Sequence, residues 1–384
     1  MGIHRGHRAR PFEWVVERLI FLTSCSAIAL VFLIFIFVGR EAIPVLLGQV
    51  NSAAQQPIIP AAELDRTSPA RLQEYLQLTP AEFATKDIDT LRLLLEIREE
   101  AANEAPASLR ENPDARINTT EWKYLVGSRQ WQGYDHPEYV WQPVGTIHKY
   151  NLIPLLVGSL KITLVGLLFA APFSLAAALY VSQLAAPRFK EWLKPGIEML
   201  AGIPSVVLGA FTLLIVAPAL QRLLGYTDRS ALNALVAGLA LGLTAVPLIF
   251  SLAEDALTSV PRSYSQAALA LGASRWETAW QVVLPAAAPG VFAALVLGFG
   301  RCIGETMVVL IVSGNAATTS WSLLDSARTI TATIAAEMAE AVNGGSHYRI
   351  LFLLGTLLFL VTFATNLAGD YVMNRLKRRS EGRQ

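Results

Sequence analysis

Arg301 and Glu305 stand four residues apart inside the apolar run "GVFAALVLGFGRCIGETMVVLIVSG" (Gly290–Gly314). About 24 residues at 1.5 Å rise make a helix of roughly 36 Å, longer than the roughly 30 Å hydrocarbon core of a bilayer. Both charges therefore fall near the midplane, where a single one costs at least ~2.5–3.5 kcal/mol. On a continuous helix their spacing puts them on one face, within reach of each other. Gly298, Gly300 and Gly304 leave room for a neighbouring helix or a ligand to approach. Two roles fit. Either the pair neutralises itself and fixes helix packing, or it lines a polar pathway. In the second role the guanidinium holds an anion bidentately while the carboxylate competes for it and hastens release. Arg301 reads as the only cation the chain offers at that depth.

Other chemistry is hard to find. No G-x-x-x-x-G-K-[ST] phosphate loop and no G-x-S-x-G elbow occurs in the sequence, and His4, His7, His136, His148 and His347 lack metal-ligand spacing. The expectation is no catalytic residue, no metal site and no cofactor held by the chain itself. Cys25 and Cys302 both fall in apolar runs, which argues against a disulfide framework. "LTSC" (Leu22–Cys25) imitates a lipoprotein cleavage box, but the apolar run continues to Val38 and reads as an uncleaved span. A net charge of +1 leaves no basic face for nucleic acid.

The elements that must position Arg301 are membrane helices. The chain of 384 residues is 53% hydrophobic and 16% charged, against about 25% charged in soluble domains. Six apolar segments are readable: Leu19–Val38, Leu152–Val181, Gly196–Leu220, Leu232–Leu252, Gly290–Val312 and Ile350–Met373. One set of flanks carries Arg5, Arg8, Arg10, Arg18, Arg188, Lys190, Lys194, Arg262, Arg275 and the cluster Arg375–Arg379. The short loops on the other side carry only Arg222, Arg229, Arg328 and Arg349, so both termini are expected in the cytoplasm. The expected organisation is a cytoplasmic tail 1–18, a first span 19–38, an extracytoplasmic segment 39–150, a core 151–374 and a basic tail 375–384. Glu198 reads as an interfacial carboxylate opening the third span, and Pro204 and Pro247 as kinks inside the third and fourth.

Segment 39–150 has a polar, helix-forming middle. Thr79 offers an N-cap with Pro80 at the first helical position, and Asp89–Glu104 reads as a further helix. A small helical insert on the outer rim is expected; a dedicated ligand-binding module is the alternative.

The loop between the fourth and fifth spans (254–289) breaks into two short helices. Ser263 with Gln266 forms one S-x-x-Q capping box, and Ser274 with Glu277 a second. Gly272 ends the first helix in a left-handed turn, and Pro285 marks the next break. The spacing Gln266-Ala267-Ala268, three residues, Gly272, nine residues, Val282-Val283-Leu284-Pro285 resembles the EAA loop of ATP-binding-cassette importer permeases. Gln266 stands where that family usually has Glu. "LAGIPSVVLGAF" (Leu200–Phe211), "GRCIGETMVVLIVSGN" (Gly300–Asn315), "REAIPVL" (Arg40–Leu46), "TEWKYLVG" (Thr120–Gly127) and "TIAAEMAEA" (Thr333–Ala341) further resemble the C-type permease of Pst-type phosphate importers. The resemblance covers Leu19–Leu47 and Asn118–Leu376, and the insert between them departs from it.

The resemblance implies an all-α, six-span permease of the type I importer fold in the bacterial inner membrane, with no enzyme activity of its own. Its implied partners are a second homologous permease, an ATPase dimer that uses ATP and Mg, an extracytoplasmic phosphate-binding protein and membrane lipid. Gln266, Ala267, Ala268, Gly272, Leu284 and Pro285 would form the ATPase coupling loop, and Arg301 and Glu305 the phosphate pathway. Physics alone specifies only an anion. A permease for another oxyanion or small solute, and a non-transporting sensor or scaffold, remain the alternatives.

Overall fold

The structure is a computed structural model, and it describes residues 11–53, 59–76, 78, 83–104 and 112–381. Helix α1 (Pro11–Leu46) is apolar over most of its length and presents Leu19, Phe21, Phe32 and Ile36 outward, as a helix facing lipid tails does. Beyond it, α2 (Pro69–Leu76) and α3 (Ile88–Glu104) form the insert. They bury Leu72, Tyr75, Leu76, Leu91 and Leu95 in a core of their own with Ile59 and Leu64. Arg98 of α3 donates to the Tyr75 carbonyl and lies over its ring. The expected cap at Thr79 and Pro80 lies outside the described residues.

The insert rises from a closed neck. Ser52 N–H donates to Asn118 Oδ1 at 3.0 Å, Asn118 Nδ2 to the Val50 carbonyl at 2.8 Å, and Thr120 Oγ1 to the same carbonyl at 2.6 Å. Past the neck, Asp114 is buried and holds Arg129 and the Gln132 N–H. A short antiparallel hairpin follows, β1 (Trp141–Gln142) with β2 (Lys149–Tyr150), which the sequence pattern does not announce.

The membrane part centres on α4 (Ile153–Leu184) against α7 (Ala234–Thr258). Ile162, Ala170, Ala237, Leu241, Ala245 and Ile249 are all buried at that contact. A Cβ at Gly242 would meet the Gly166 carbonyl at 2.8 Å, so small residues let the two backbones touch. In chain order α5 (Pro187–Glu198) and α6 (Ser205–Leu224) come between the two. The third span therefore begins at Ser205, not Gly196. Charged residues at 188, 190, 191, 194 and 198 make 187–198 an amphipathic helix that cannot be buried in hydrocarbon, and Glu198 is exposed at its end. Pro204 caps the start of α6 instead of kinking it, whereas Pro247 does lie inside α7.

After α7 come α8 (Arg262–Ala270), α9 (Arg275–Ala286), α10 (Ala288–Gly304), α11 (Met307–Val312), α12 (Ile330–Glu337) and α13 (Ser346–Glu381). Among the described residues, α1, α4, α6, α7 and α13 are each long and apolar enough to cross a membrane. The fifth segment (290–312) is not one helix, because α10 and α11 are separated by a break at Glu305 and Thr306; the 72° bend between α9 and α10 falls ahead of it, close to the break expected at Pro285. Helix α13 runs to Glu381, so the basic cluster after Arg375 extends the last span as helix. It packs on α1 through Phe35 against Phe359, with ring centroids 4.7 Å apart.

Candidate functional site

The break positions the charged pair. Helix α10 ends at Gly304, and Glu305 adopts an extended backbone (φ −70°, ψ 133°) before α11 begins. The i to i+4 alignment is therefore lost, and Arg301 and Glu305 form no ion pair, contrary to the expectation from spacing. Glu305 is half-buried and accepts the Thr306 N–H on Oε1 at 3.2 Å, while its main-chain carbonyl accepts the Thr331 hydroxyl at 2.9 Å. Arg301 is exposed, and Nε reaches the Thr244 carbonyl at 3.4 Å. Among the described residues its terminal nitrogens have no acceptor. A Cβ at Gly298 would run into Ile249 of α7, whereas Gly300 and Gly304 face open space. Close approach is thus already used at one glycine and still available at two.

Arg301 is not the only cation in the spans. Lys161 of α4 is buried, but Nζ donates to the Ser320 and Ser322 carbonyls at 2.8 and 3.0 Å and is consumed in fastening the 313–329 loop. Arg328 pairs with Glu337 at 2.7 Å. Arg301 differs in being exposed and free of carboxylate partners among the described residues. A guanidinium on an open face at this depth requires protein or water, not lipid, to cover it.

The elbow is the second functional element. Leu271 caps α8, and Gly272 takes φ +90°. Gly272 N–H donates to the Leu269 carbonyl and Ala273 N–H to the Ala268 carbonyl, the paired bonds of a Schellman turn. The Ser274–Glu277 capping box is formed in both directions at 2.8 and 3.2 Å. Ser274's N–H and hydroxyl hold the Glu277 carboxyl below its usual range. The Ser263–Gln266 box is absent, because Pro261 is the N-cap and places Ser263 inside the first turn. Gln266 and Ala267 are exposed, Ala268 and Leu284 half-buried, and Pro285 exposed. Trp276 and Trp280 stack outward on α9 at 6.0 Å, and Leu271 is 91% exposed. On the other side Ala279 and Val283 are buried with Phe250, Ala253 and Leu257 of α7. One face of the elbow is anchored to the bundle and the other is apolar and uncovered.

Sequence reasoning missed the anchor beside it. Glu254 of α7 is buried and accepts Lys190 Nζ at 2.8 Å and Lys194 Nζ at 2.7 Å from α5. The partners are some sixty residues apart in the chain, so no local spacing signals them. Glu337 is also missed: it accepts the Trp141 indole N–H at 3.2 Å besides pairing with Arg328. Burial raises its carboxyl above the usual range, and Arg328 and the indole N–H pull it back.

A bundle of membrane helices with a broken, charge-bearing fifth span and a rigid, outward-facing elbow defines a membrane permease subunit. The chain belongs to the family described as binding-protein-dependent transport system inner membrane component, which matches residues 170–381. Relatives include the probable ABC transporter permease protein YqgH of Bacillus subtilis (strain 168), 34% identical over 62% of this chain and 76% of that one. The phosphate transport system permease protein PstC of Xylella fastidiosa (strain Temecula1 / ATCC 700964) is 32% identical over 62% of this chain and 78% of its own. PstC of Pasteurella multocida (strain Pm70) is 33% identical over 64% and 80%. Similar solved structures include an inward-facing MetNI methionine ABC transporter, at 18% identity and TM-score 0.44 over 59% of this chain and 94% of that one. A bacterial alginate ABC transporter aligns at 16% identity and TM-score 0.44 over 58% and 78%.

Proposed function

We propose that the chain is the C-type permease of an ATP-driven importer that moves inorganic phosphate across the bacterial inner membrane. The observation that carries this reading is Arg301: an exposed guanidinium, free of carboxylate partners among the described residues, beside a helix break in a membrane span. Planar guanidinium matches a phosphate edge bidentately and stays charged at every working pH. The names of the PstC relatives supply the choice of phosphate among anions.

A fully committed Arg301 would hold the anion too long. Glu305 lies four residues on, just past the end of α10. Its carboxylate opposes retention through its charge rather than by pairing, so the anion is held briefly and passed on. The open face bearing Arg301, Gly300 and Gly304 is covered by a second permease, which keeps the guanidinium out of lipid.

The elbow residues Gln266, Ala267, Ala268, Gly272, Leu284 and Pro285 dock on an ATPase subunit. ATP and Mg act there, and an extracytoplasmic binding protein delivers phosphate on the side of segment 39–150. Both termini are cytoplasmic by the distribution of positive charge. Phosphate uptake in cells lacking this chain, with and without its re-expression, tests the reading. Restoration supports it; uptake of a different solute restored in place of phosphate overturns the cargo.

A further inference from the structure

Helix α12 is fastened at both ends by buried hydrogen bonds that run to different parts of the molecule. At its start, Thr331 Oγ1 donates to the Glu305 carbonyl at 2.9 Å. A carbonyl only accepts, so the Thr331 oxygen must receive its own bond from Thr329 Oγ1, 3.1 Å away. The Thr329 oxygen in turn accepts the Ala332 N–H at 3.2 Å as the N-cap of α12. Every donor in this chain has one direction, and it ends on the carbonyl that the break in the fifth span leaves without a helical partner. Ser159 of α4 accepts the Ile330 N–H at 2.9 Å and fixes the same end to the bundle.

At the other end, Glu337 accepts the Trp141 indole from β1 and the Arg328 guanidinium on one oxygen. Its second oxygen lies 3.5 Å from His347 Nε2 of α13. Trp141 and His347 both pack on the Tyr150 ring of β2. Eight helical residues, roughly 12 Å, thus separate the hairpin of segment 39–150 from the break beside Arg301.

We infer that α12 is a rigid link that sets the state of the Glu305 break according to the position of the hairpin, with Thr331 and Trp141 as its positioning residues. The inference rests on the reading of the break as the pathway, but not on which solute uses it. A short helix with buried bonds at both ends transmits displacement, since packed interiors shift between discrete arrangements and do not deform continuously. Docking on the hairpin would then reach Glu305, and with it the carboxylate that governs release from Arg301.

Cys302 is buried next to the break and reports on it without reference to cargo. In the assembled transporter in membranes, with Cys25 replaced by Ser, N-ethylmaleimide modification is followed on the Cys302 peptide by mass spectrometry. Thr331→Val replaces the hydroxyl that bonds the Glu305 carbonyl and Thr329, and should raise the rate about fivefold, the order expected when a side chain's hydrogen bonds are removed. Trp141→Phe, at the far end, should raise it by a similar factor, while Gln142→Ala beside it should not. The double variant should match either single one, near fivefold, because both act through one link; independent sites would multiply to about 25-fold. Thr331→Ser, which keeps the hydroxyl, should behave as the parent. An unchanged rate in Trp141→Phe, multiplying effects, or a fast Thr331→Ser would overturn the link. Loss of phosphate uptake plays no part in this readout, so failure of the cargo reading stays separate.

Discussion

Glu305 follows Arg301 by four residues and yet forms no ion pair with it, because the helix that would align them ends at Gly304. The carboxylate turns to the Thr306 N–H, its main chain to Thr331, and the guanidinium is left on an open face. Two buried opposite charges in contact would have made a packing device. Separated by a break, they become a site at which one charge can act on a third partner.

The elbow depends on Gly272. At φ +90° a branched side chain is strained, and the Schellman bonds to Leu269 and Ala268 would be lost. Gly272→Val should leave the chain inserted but lower ATP-driven phosphate uptake at least tenfold while ATP hydrolysis persists. Proteoliposomes with both rates measured together check this; unchanged coupling would remove the elbow from the account.

The insert should be dispensable above its neck. Replacing Ala53–Glu111 by a short glycine-serine linker spares Val50, Ser52, Asn118 and Thr120, whose bonds close the neck, and Asp114, which holds Arg129 and the Gln132 N–H. Uptake should stay within about twofold, as expected for long surface insertions. Removing Gln49–Ile117 instead takes Val50, Ser52 and Asp114 with it and should lower the amount of folded chain. Equal behaviour of the two truncations would show that the neck is not the boundary.

The clamp on Glu254 should be asymmetric. Its carboxylate is 2% exposed, whereas the lysine side chains are 32–38% exposed and can turn to water. Glu254→Gln should therefore cost little, on the order of 1 kcal/mol. Lys190→Met with Lys194→Met strands a buried charge and should cost ~3–5 kcal/mol. Thermal melting of the purified chain in detergent ranks the two, and a larger loss in Glu254→Gln would contradict the arrangement.

Glu337 should give Arg328→Gln a pH signature. Its folded carboxyl lies above its unfolded value, so its stabilising contribution is full at low pH and is lost as pH rises through the raised value. Arg328→Gln removes the main opposing charge and should widen that loss, so the variant melts progressively earlier than the parent as pH rises. Adding Glu337→Gln should abolish the difference. A gap between variant and parent that is flat across the pH range would show that Glu337 is not the titrating group.

Much of this fold is legible because apolar length and capping chemistry are local. The Ser274–Glu277 box and the Gly272 turn need only a few neighbouring residues, and both form. The Ser263–Gln266 pair has the same spacing, but Pro261 starts the helix two residues earlier. The third span starts later than the apolar pattern suggests, because Gly196–Glu198 form the end of the amphipathic helix α5 and carry the charge of Glu198. The break at Glu305 has no such local sign: "GETM" is compatible with helix, and the hydroxyl that bonds the freed Glu305 carbonyl belongs to Thr331, 26 residues away. Glu254, Lys161 and the Trp141 bond to Glu337 are hidden for the same reason, since those partners are distant in the chain and only packing brings them together.

Arg301 is proposed to hold the transported anion at the break. The most direct test is uptake of labelled phosphate by the reconstituted transporter, normalised to folded chain in the membrane, for Arg301→Gln, Arg301→Lys and Glu305→Gln. Arg301→Gln should lose nearly all uptake, and Arg301→Lys should recover only part of it, because an ammonium lacks the bidentate fork. Glu305→Gln should bind phosphate at least as well but release it more slowly. Arg301→Gln transporting at the wild-type rate, with the chain folded and inserted, would contradict the account.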